Sequence, residues 1–172
     1  MLPHLGTARL LLRPRTLDDV DACMAMDRDP EVTRHIPGPW HDPVAHRRFV
    51  EERTTQVYPR GLGYWSIFER HAPERFVGWV LLIPEDAVGP DVEIGWRLVR
   101  DTWGRGIASE AALAVVRHAF DTVGLNEIVA GIASGNAASL RVAEKLGMRC
   151  APDARPDAEG YVRYRLARSG PA

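Results

Sequence analysis

Residues 101–120 read DTWGRGIASEAALAVVRHAF, and the interpretation of the whole chain starts from this stretch. Gly104 and Gly106 let the backbone turn tightly, because neither residue has a Cβ atom. The unpaired N–H groups that begin the next helix would then point at one centre, where a pyrophosphate would fit. Apolar residues recur at helical spacing through the rest of the stretch. We therefore predict an anion-binding turn that opens a helix with one packed face.

The composition of the chain restricts the partners of this turn. With 172 residues and 45% hydrophobic content, residues 1–172 are expected to form a single domain with a substantial core. A formal charge of -1 and a pI near 6.6 give no global attraction to nucleic acid or to an anionic membrane. Cys23 and Cys150 are expected to be reduced, mostly buried thiols. No apolar run approaches a signal peptide or the roughly 20 residues of a membrane span, so we expect a cytoplasmic protein.

Local signals predict the elements that precede the turn. A strand is expected over 8–13, and a helix from the N-cap Thr16 to about Asp27. Prolines are dense over 29–43, which predicts a loop with one short helical turn. A second helix should begin after Asp42, with proline at its first position.

The rest of the chain changes to the two-residue period of strands, interrupted by two helices. The segment between the first two of these strands contains Pro73 and several charges, which predicts a connecting loop. The predicted strands are 64–69, 76–83, 92–99, 127–132, 148–151 and 161–166, and the last helix runs from Asn136 through Leu146, with Gly147 as its left-handed stop. The fold class is therefore α+β, with a mixed, mostly antiparallel central sheet of about six or seven strands flanked by about four helices.

Three motifs in this order resemble the GNAT superfamily of acyl-CoA-dependent N-acetyltransferases, over essentially the whole chain. They are Glu93-Ile94-Gly95-Trp96, the stretch from Trp103 to Ala111, and the stretch from Asn136 to Met148. The opening Thr-Ala-Arg-Leu-Leu-Leu-Arg-Pro is typical of its Rim-type branch, the ribosomal-protein N-terminal acetyltransferases. The resemblance implies a sheet splayed at the cofactor cleft, acetyl-CoA as co-substrate, no metal and an amine acceptor. Many relatives form homodimers, so a homodimer is one expected assembly.

The resemblance also places the co-substrate on particular residues. The family loop, written as Gln or Arg, two variable residues, Gly, one variable residue, then Gly or Ala, falls on Trp103, Gly106 and Ala108. Trp103 departs from the general pattern but is common in Rim-type sequences. Arg105 has two interpretations, a phosphate contact or a solvated loop arginine. The implied acetyl-CoA contacts are Leu98, Val99, Trp103, Gly104, Arg105, Gly106, Ile107, Ala108, Ser109, Asn136 and Ser139.

The implied catalytic residues are Glu93 and Ser139. Glu93 would act as the base that deprotonates the amine, often through water in this family, and its alternative is a carboxylate on the solvent side of the strand. Ser139 would donate a hydrogen bond to the leaving thiolate, because many relatives use a tyrosine at the position of Ala143; its alternative is a structural serine. Asn136 would reach the pantetheine arm or serve as an N-cap, and both roles are compatible. A backbone N–H at the splayed strands would meet the oxyanion.

Aromatic residues and histidine are expected to form the acceptor site. Its walls are predicted to include His35, Trp40, Tyr64, Trp65 and Tyr161. Aromatic side chains bind apolar and cationic groups alike, so they do not choose among a peptide N-terminus, a polyamine, an aminoglycoside and a small amine. Two other functions stay open on the sequence: a catalytically silent acyl-CoA sensor, and a phosphate-loop nucleotide binder, which Ile107 disfavours because that loop needs a lysine there.

Overall fold

The sheet at the centre of the protein contains seven strands in chain order. The structure is a computed structural model, and it describes residues 2–152 and 154–168. All neighbouring strands run antiparallel except β5 and β6, which are parallel. The strands are β1 (Leu5–Gly6), β2 (Leu10–Pro14), β3 (Gly63–Glu69), β4 (Ala72–Pro84), β5 (Val92–Leu98), β6 (Glu127–Ala133) and β7 (Tyr161–Ala167).

Helices cover both faces of the sheet. They are α1 (Val20–Asp27), α2 (Pro30–Thr33), α3 (Pro43–Thr55), α4 (Ile107–Arg117) and α5 (Ala137–Lys145). The Asp42 side chain accepts hydrogen bonds from the N–H groups of Val44 and Ala45, so the predicted cap of α3 is confirmed. Within the described residues, no helix combines the length and the apolar character needed to span a membrane.

The side chains of β4 alternate between the two faces of the sheet and contribute to a hydrophobic core on each face. Val80 and Leu82 belong to the core that α4 covers, whereas Trp79 and Leu81 belong to the core that α1 and α3 cover. Because successive side chains of a strand point to opposite faces, a strand buried on both sides needs apolar residues at every position. This strand has such a run over 76–83, and it fixes which face of each neighbour points toward which helices.

Strands β5 and β6 separate almost as soon as they meet. Their ladder has one paired position, Glu93 with Val129. Beyond it the chain of β5 continues beside β4 and the chain of β6 continues beside β7. The predicted mixed, splayed sheet is therefore confirmed, with seven strands, and the predicted short helical turn is α2.

Three predicted boundaries differ from the structure. Strand β4 begins at Ala72, not at residue 76, because Pro73 lies where the pairing with β3 shifts register and a missing N–H is tolerated. The strand predicted over 148–151 is a single bridge from Arg149 to Arg165. The strand predicted over 8–13 is β2 (Leu10–Pro14), and the short β1 precedes it and pairs with it.

Two further features concern the helix after the glycine turn and the cysteines. The α4 helix ends at Arg117 and continues as a wider π-helical turn, His118–Val123, before the left-handed Gly124. The widened turn brings the buried His118 within 2.8 Å of the Gly61 carbonyl oxygen. Both cysteines are free, but Cys150 is exposed, so only Cys23 matches the predicted buried thiol.

Candidate active site

A groove of about 410 Å³ runs between the first turn of α4 and the first turn of α5. Gly104 and Gly106 have φ angles of 75° and 76°, in the left-handed region that residues with a Cβ atom rarely adopt. Gly106 is also the N-cap of α4, so the residues that carry the free N–H groups of this helix line the groove. The wall includes nine of the predicted co-substrate residues: Leu98, Trp103, Gly104, Gly106, Ile107, Ala108, Ser109, Asn136 and Ser139.

The other two predicted co-substrate residues, Val99 and Arg105, are not on the groove wall. The Arg105 guanidinium forms an ion pair with Glu69, a carboxylate that is only 3% exposed. Both interpretations of Arg105 from the sequence missed this partner. Arg105 therefore ties the glycine turn to the end of β3.

The start of α5 places a polar pair at the inner end of the groove. The Asn136 side-chain oxygen accepts a hydrogen bond from the Ser139 N–H at 3.1 Å, so Asn136 is the N-cap of this helix. Asn136 and the half-buried Ser139 also line a second cavity. The groove and this cavity therefore meet at the first turn of α5.

The second cavity has a volume of about 260 Å³ and lies over the face of β5 that carries Glu93, Gly95 and Arg97. These three residues alternate along the strand and pair across from Ile83, Leu81 and Trp79 of β4. Helices α1 and α3 cover this face. The cavity is thus bounded by the sheet below and the early helices above.

Glu93 is a half-buried carboxyl group in the wall of this cavity. Burial, and to a lesser degree the negative charges of Glu85 and Asp86, raise the pKa of the Glu93 carboxyl to about 7. A carboxyl with a pKa near neutrality is suited to accept and release protons at physiological pH. Between the two interpretations of Glu93, the structure favours a group that faces the cavity.

A buried ionic cluster holds the end of the same strand face. The Arg97 guanidinium donates to Asp27 at 2.7 Å, and the His46 ring lies 3.1 Å from the other oxygen of Asp27. The guanidinium carbon also lies 4.9 Å and 5.0 Å from the ring centres of Trp40 and Trp79. Because Asp27 and His46 are almost fully buried, this cluster fixes α1 and α3 against β5 beside the cavity.

The predicted acceptor residues divide into two groups. His35, Tyr64 and Tyr161 line the cavity, and the Tyr161 hydroxyl donates to the His35 carbonyl at 2.5 Å. The other two are not on its wall. Trp40 packs edge-on against His46, behind the wall. Trp65 is fully buried on the opposite face of the sheet, where its indole donates to the Pro3 carbonyl.

Comparison with known proteins decides the family. The acetyltransferase (GNAT) domain matches residues 9–149. The chain belongs to the GNAT acetyltransferase family. FsC-acetyl coenzyme A-N(2)-transacetylase of Aspergillus fumigatus is 32% identical to this GNAT protein, over 96% of this chain and 77% of that one.

Solved GNAT structures share the architecture. The acetyltransferase from Agrobacterium tumefaciens strain C58 has a TM-score of 0.82 at 27% identity, covering 98% of this chain and 96% of that chain. RimL, a ribosomal L7/L12 alpha-N-protein acetyltransferase in complex with coenzyme A, has a TM-score of 0.71 at 19% identity, covering 96% and 98% of the two chains. This GNAT protein is an N-acetyltransferase, and its family uses acetyl-CoA. Among residues 2–152 and 154–168, no three His, Cys, Asp or Glu side chains cluster as a metal site requires.

Sequence reasoning missed several residues that line the second cavity. Arg97 alternates with Glu93 on one strand face, and this period of two could have identified it. Arg15 and Arg53 also line the cavity, but no local pattern marks them, because only the sheet register and the packing of α3 bring them there. Asp27 was predicted only as the end of a helix.

Arg9 is a further missed residue, on the outer side of the glycine turn. Its guanidinium donates to the Arg105 carbonyl at 3.0 Å and pairs with Glu110 of α4 at 2.6 Å. Arg9 is half exposed, so this clamp is a modest one. We expect Arg9→Met to raise the KM for acetyl-CoA about two- to fivefold, equivalent to about 0.5–1 kcal/mol, with kcat nearly unchanged.

Steady-state kinetics with acetyl-CoA as the varied substrate check the Arg9 prediction. Arg48→Met is the matched control, because Arg48 lies on α3, away from the turn, and is 74% exposed. An acetyl-CoA KM that stays at the wild-type value in Arg9→Met would show that the turn holds its shape without the clamp.

Proposed function

We propose that the protein transfers an acetyl group from acetyl-CoA to a primary amine by direct attack of the amine on the thioester. One observation carries the proposal: the Glu93 carboxyl, with its pKa near 7, lies in a cavity that meets the co-substrate groove. Acetyl-CoA supplies the thioester carbon, to which the amine nitrogen bonds as the carbon–sulfur bond breaks. The amine loses one proton and the sulfur leaves as a thiolate that gains one, so charge and atoms balance.

The chain's own residues have distinct roles in this proposal. The N–H groups of the turn and of the first turn of α4 bind the pyrophosphate, because they are the free donors of a helix N-terminus. Glu93 accepts the proton of the acceptor amine, directly or through water. Ser139, where the groove and the cavity meet, donates to the departing thiolate. A backbone N–H of β5 beyond its paired position with β6 stabilises the oxyanion.

The finer features of the function rest on the sequence and on the fold. The opening octapeptide and the fold shared with RimL support a Rim-type protein that acts in the cytoplasm on a protein N-terminus or on a small-molecule amine. A homodimer and a single domain over residues 1–172 belong to the same proposal.

A thiol-release assay tests the proposed function. The purified protein is mixed with acetyl-CoA and with each member of an acceptor panel of ribosomal-protein N-terminal peptides, polyamines, aminoglycosides and small amines. We expect free coenzyme A to form with at least one acceptor. The product should be heavier than that acceptor by about 42 Da, the mass of an acetyl group less one hydrogen. Tight coenzyme A binding without thiol release from any acceptor would instead identify a silent binding module.

A further inference from the structure

Arg15 lines the second cavity, which we call the acceptor cavity because Glu93 is on its wall. Arg15 has no anionic partner among the described residues. It follows the last residue of β2, and it lines the cavity with Glu93 and Tyr64. Its guanidinium carbon lies 3.8 Å from the centre of the Tyr64 ring, so the planar group stacks on the ring. Its Nε and Nη2 atoms are buried and have no hydrogen-bond partner among the described residues.

Two neighbouring arginines on the same face of the sheet have carboxylate partners, unlike Arg15. Arg13 pairs with Asp19 through two hydrogen bonds of 2.9 Å and 2.6 Å. Arg97 pairs with Asp27. Buried guanidinium groups are normally satisfied in this way, since an unmet donor is costly. The fold therefore supplies a carboxylate to Arg13 and to Arg97 and none to Arg15.

The charges around the cavity agree with an anion at Arg15. Three arginines line it, at positions 15, 53 and 97, together with three carboxyl groups, Asp27, Asp86 and Glu93. Asp27 pairs with Arg97, and neither Asp86 nor Glu93 forms an ion pair with Arg15 or Arg53 among the described residues. Arg53 also has no carboxylate within ion-pair distance in the described residues, and its guanidinium lies over the Phe49 ring at 5.5 Å. A polycationic acceptor would meet two unpaired guanidinium groups here. An acceptor with an anionic group would be attracted to them.

The sheet register gives the length of such an acceptor. The Arg15 N–H donates to the Tyr64 carbonyl, Tyr64 pairs with Leu81, and Leu81 pairs with Gly95, next to Glu93 on one face. Two strand spacings separate the backbone of Tyr64 from the backbone of Gly95, a distance of roughly 10 Å. Since the guanidinium stacks on the Tyr64 ring, an acceptor that reaches from it to Glu93 is elongated, with several atoms between its amine and its anion.

We propose that Arg15 is the anion-binding residue of the acceptor site, and that the acceptor is an elongated primary amine whose far end carries a carboxylate or a phosphate. The guanidinium, which lies over the Tyr64 ring, supplies the positive charge and the unpaired N–H donors that a carboxylate or a phosphate group requires. The amine end then lies at Glu93. This inference rests on the proposed N-acetyltransfer and adds the class of acceptor.

The inference is tested by the ratio of kcat/KM for an amino acid acceptor to kcat/KM for its amide. Thiol release is measured for the series glycine, β-alanine, 4-aminobutyrate and 6-aminohexanoate, and for the amide of each. We expect kcat/KM of the wild type to favour the acid over its amide by about 10- to 100-fold at the longer spacings, as for hydrogen bonds to a charged group. In Arg15→Gln this ratio should fall close to one. Comparing 3-aminopropylphosphonate with 4-aminobutyrate distinguishes a phosphate-like group from a carboxylate.

Arg48→Gln is the control, because it removes an exposed arginine of α3 and should leave the ratio at the wild-type value. A ratio near one in the wild type at every spacing would overturn the inference. So would an Arg15→Gln variant that melts at a lower temperature but keeps the wild-type ratio, since Arg15 would then only support Tyr64.

A binding measurement separates failure of this inference from failure of the proposed function. Calorimetry on the coenzyme A-saturated protein compares 4-acetamidobutyrate with 4-acetamidobutyramide and needs no turnover. Tighter binding of the acid to the wild type, lost in Arg15→Gln, supports the anion site even if no amine is acetylated. Equal binding of the two compounds to the wild type contradicts the anion site even if amines are acetylated.

Discussion

Glu93→Gln is expected to lower kcat by at least about 100-fold while acetyl-CoA binding stays intact, because general-base catalysis contributes about 100- to 10,000-fold. Glutamine has nearly the shape of glutamate but cannot accept the proton of the amine. Glu93 lines the cavity over β5 and is not on the wall of the groove between α4 and α5, so the Kd for acetyl-CoA should hardly change. Single-turnover kinetics and equilibrium binding measure the two quantities separately.

The pH dependence of kcat/KM tests the same role of Glu93. Burial raises the pKa of Glu93 to about 7, so the carboxylate form that acts as base is lost as the pH falls below that value. The wild-type kcat/KM should therefore rise with pH through about 7, in addition to the rise that the acceptor amine itself causes at higher pH. In Glu93→Gln only the second rise should remain. An unchanged rate and profile in the variant would exclude Glu93 as the base.

Glu85→Gln is the matched control for Glu93. Glu85 is paired with Arg163 at 2.6 Å, and its charge helps to raise the pKa of Glu93. Removing that charge should move the step in the profile to lower pH while the maximal rate is retained. Folding can be checked in the same experiment. The folded state favours the neutral Glu93 carboxyl, so above pH 7 Glu93→Gln should melt at a higher temperature than the wild type, and below about pH 4 the difference should vanish.

Gly106→Val is expected to raise the Kd for acetyl-CoA by about 100-fold or more, as the loss of two hydrogen bonds to a charged group would. Gly106 has a φ of 76°, and a β-branched residue is strongly disfavoured there. The backbone must change to relieve this strain, and the N–H groups that follow Gly106 would then no longer converge. Calorimetric titration with coenzyme A and with acetyl-CoA measures the effect.

Gly124→Val separates backbone strain from loss of the binding turn. Gly124 lies at the other end of the same helical segment with a φ of 81°, and an added Cβ atom would meet nothing within 4 Å. Each variant should lose about 1–2 kcal/mol of folding free energy from the left-handed backbone alone. Only Gly106→Val should lose affinity. Equal affinities in the two variants would mean that the turn does not bind the co-substrate.

Features that depend on neighbours in sequence could be predicted from this chain. The caps Asp42 and Asn136, the glycine turn and the left-handed Gly147 each follow from a local preference of the backbone, and the structure contains all of them. The end of the hairpin between β3 and β4 could not be predicted in this way. Pro73 is excluded from a regular ladder, and only the shift in register makes it acceptable inside β4.

Only some of the residues predicted to contact the acceptor line the cavity, because adjacent residues of a strand face opposite ways. Tyr64 and Trp65 are equally aromatic, and the sequence does not say which one faces the helices that bound the cavity. In the structure Tyr64 lines the cavity and Trp65 is buried under α4. The partner of Arg105 and the isolation of Arg15 depend on residues more than 30 positions away, so no local pattern could reveal them.

The single paired position between β5 and β6 also bears on how this protein behaves without its co-substrate. Strand edges with free N–H and C=O groups are templates for pairing with other chains, and sheets normally expose such edges only at their rims. Here two further edges lie inside the sheet, on either side of the splay. An arm of acetyl-CoA that occupies the splay would cover both of them. A co-substrate that binds only the folded state would in addition stabilise that state against unfolding.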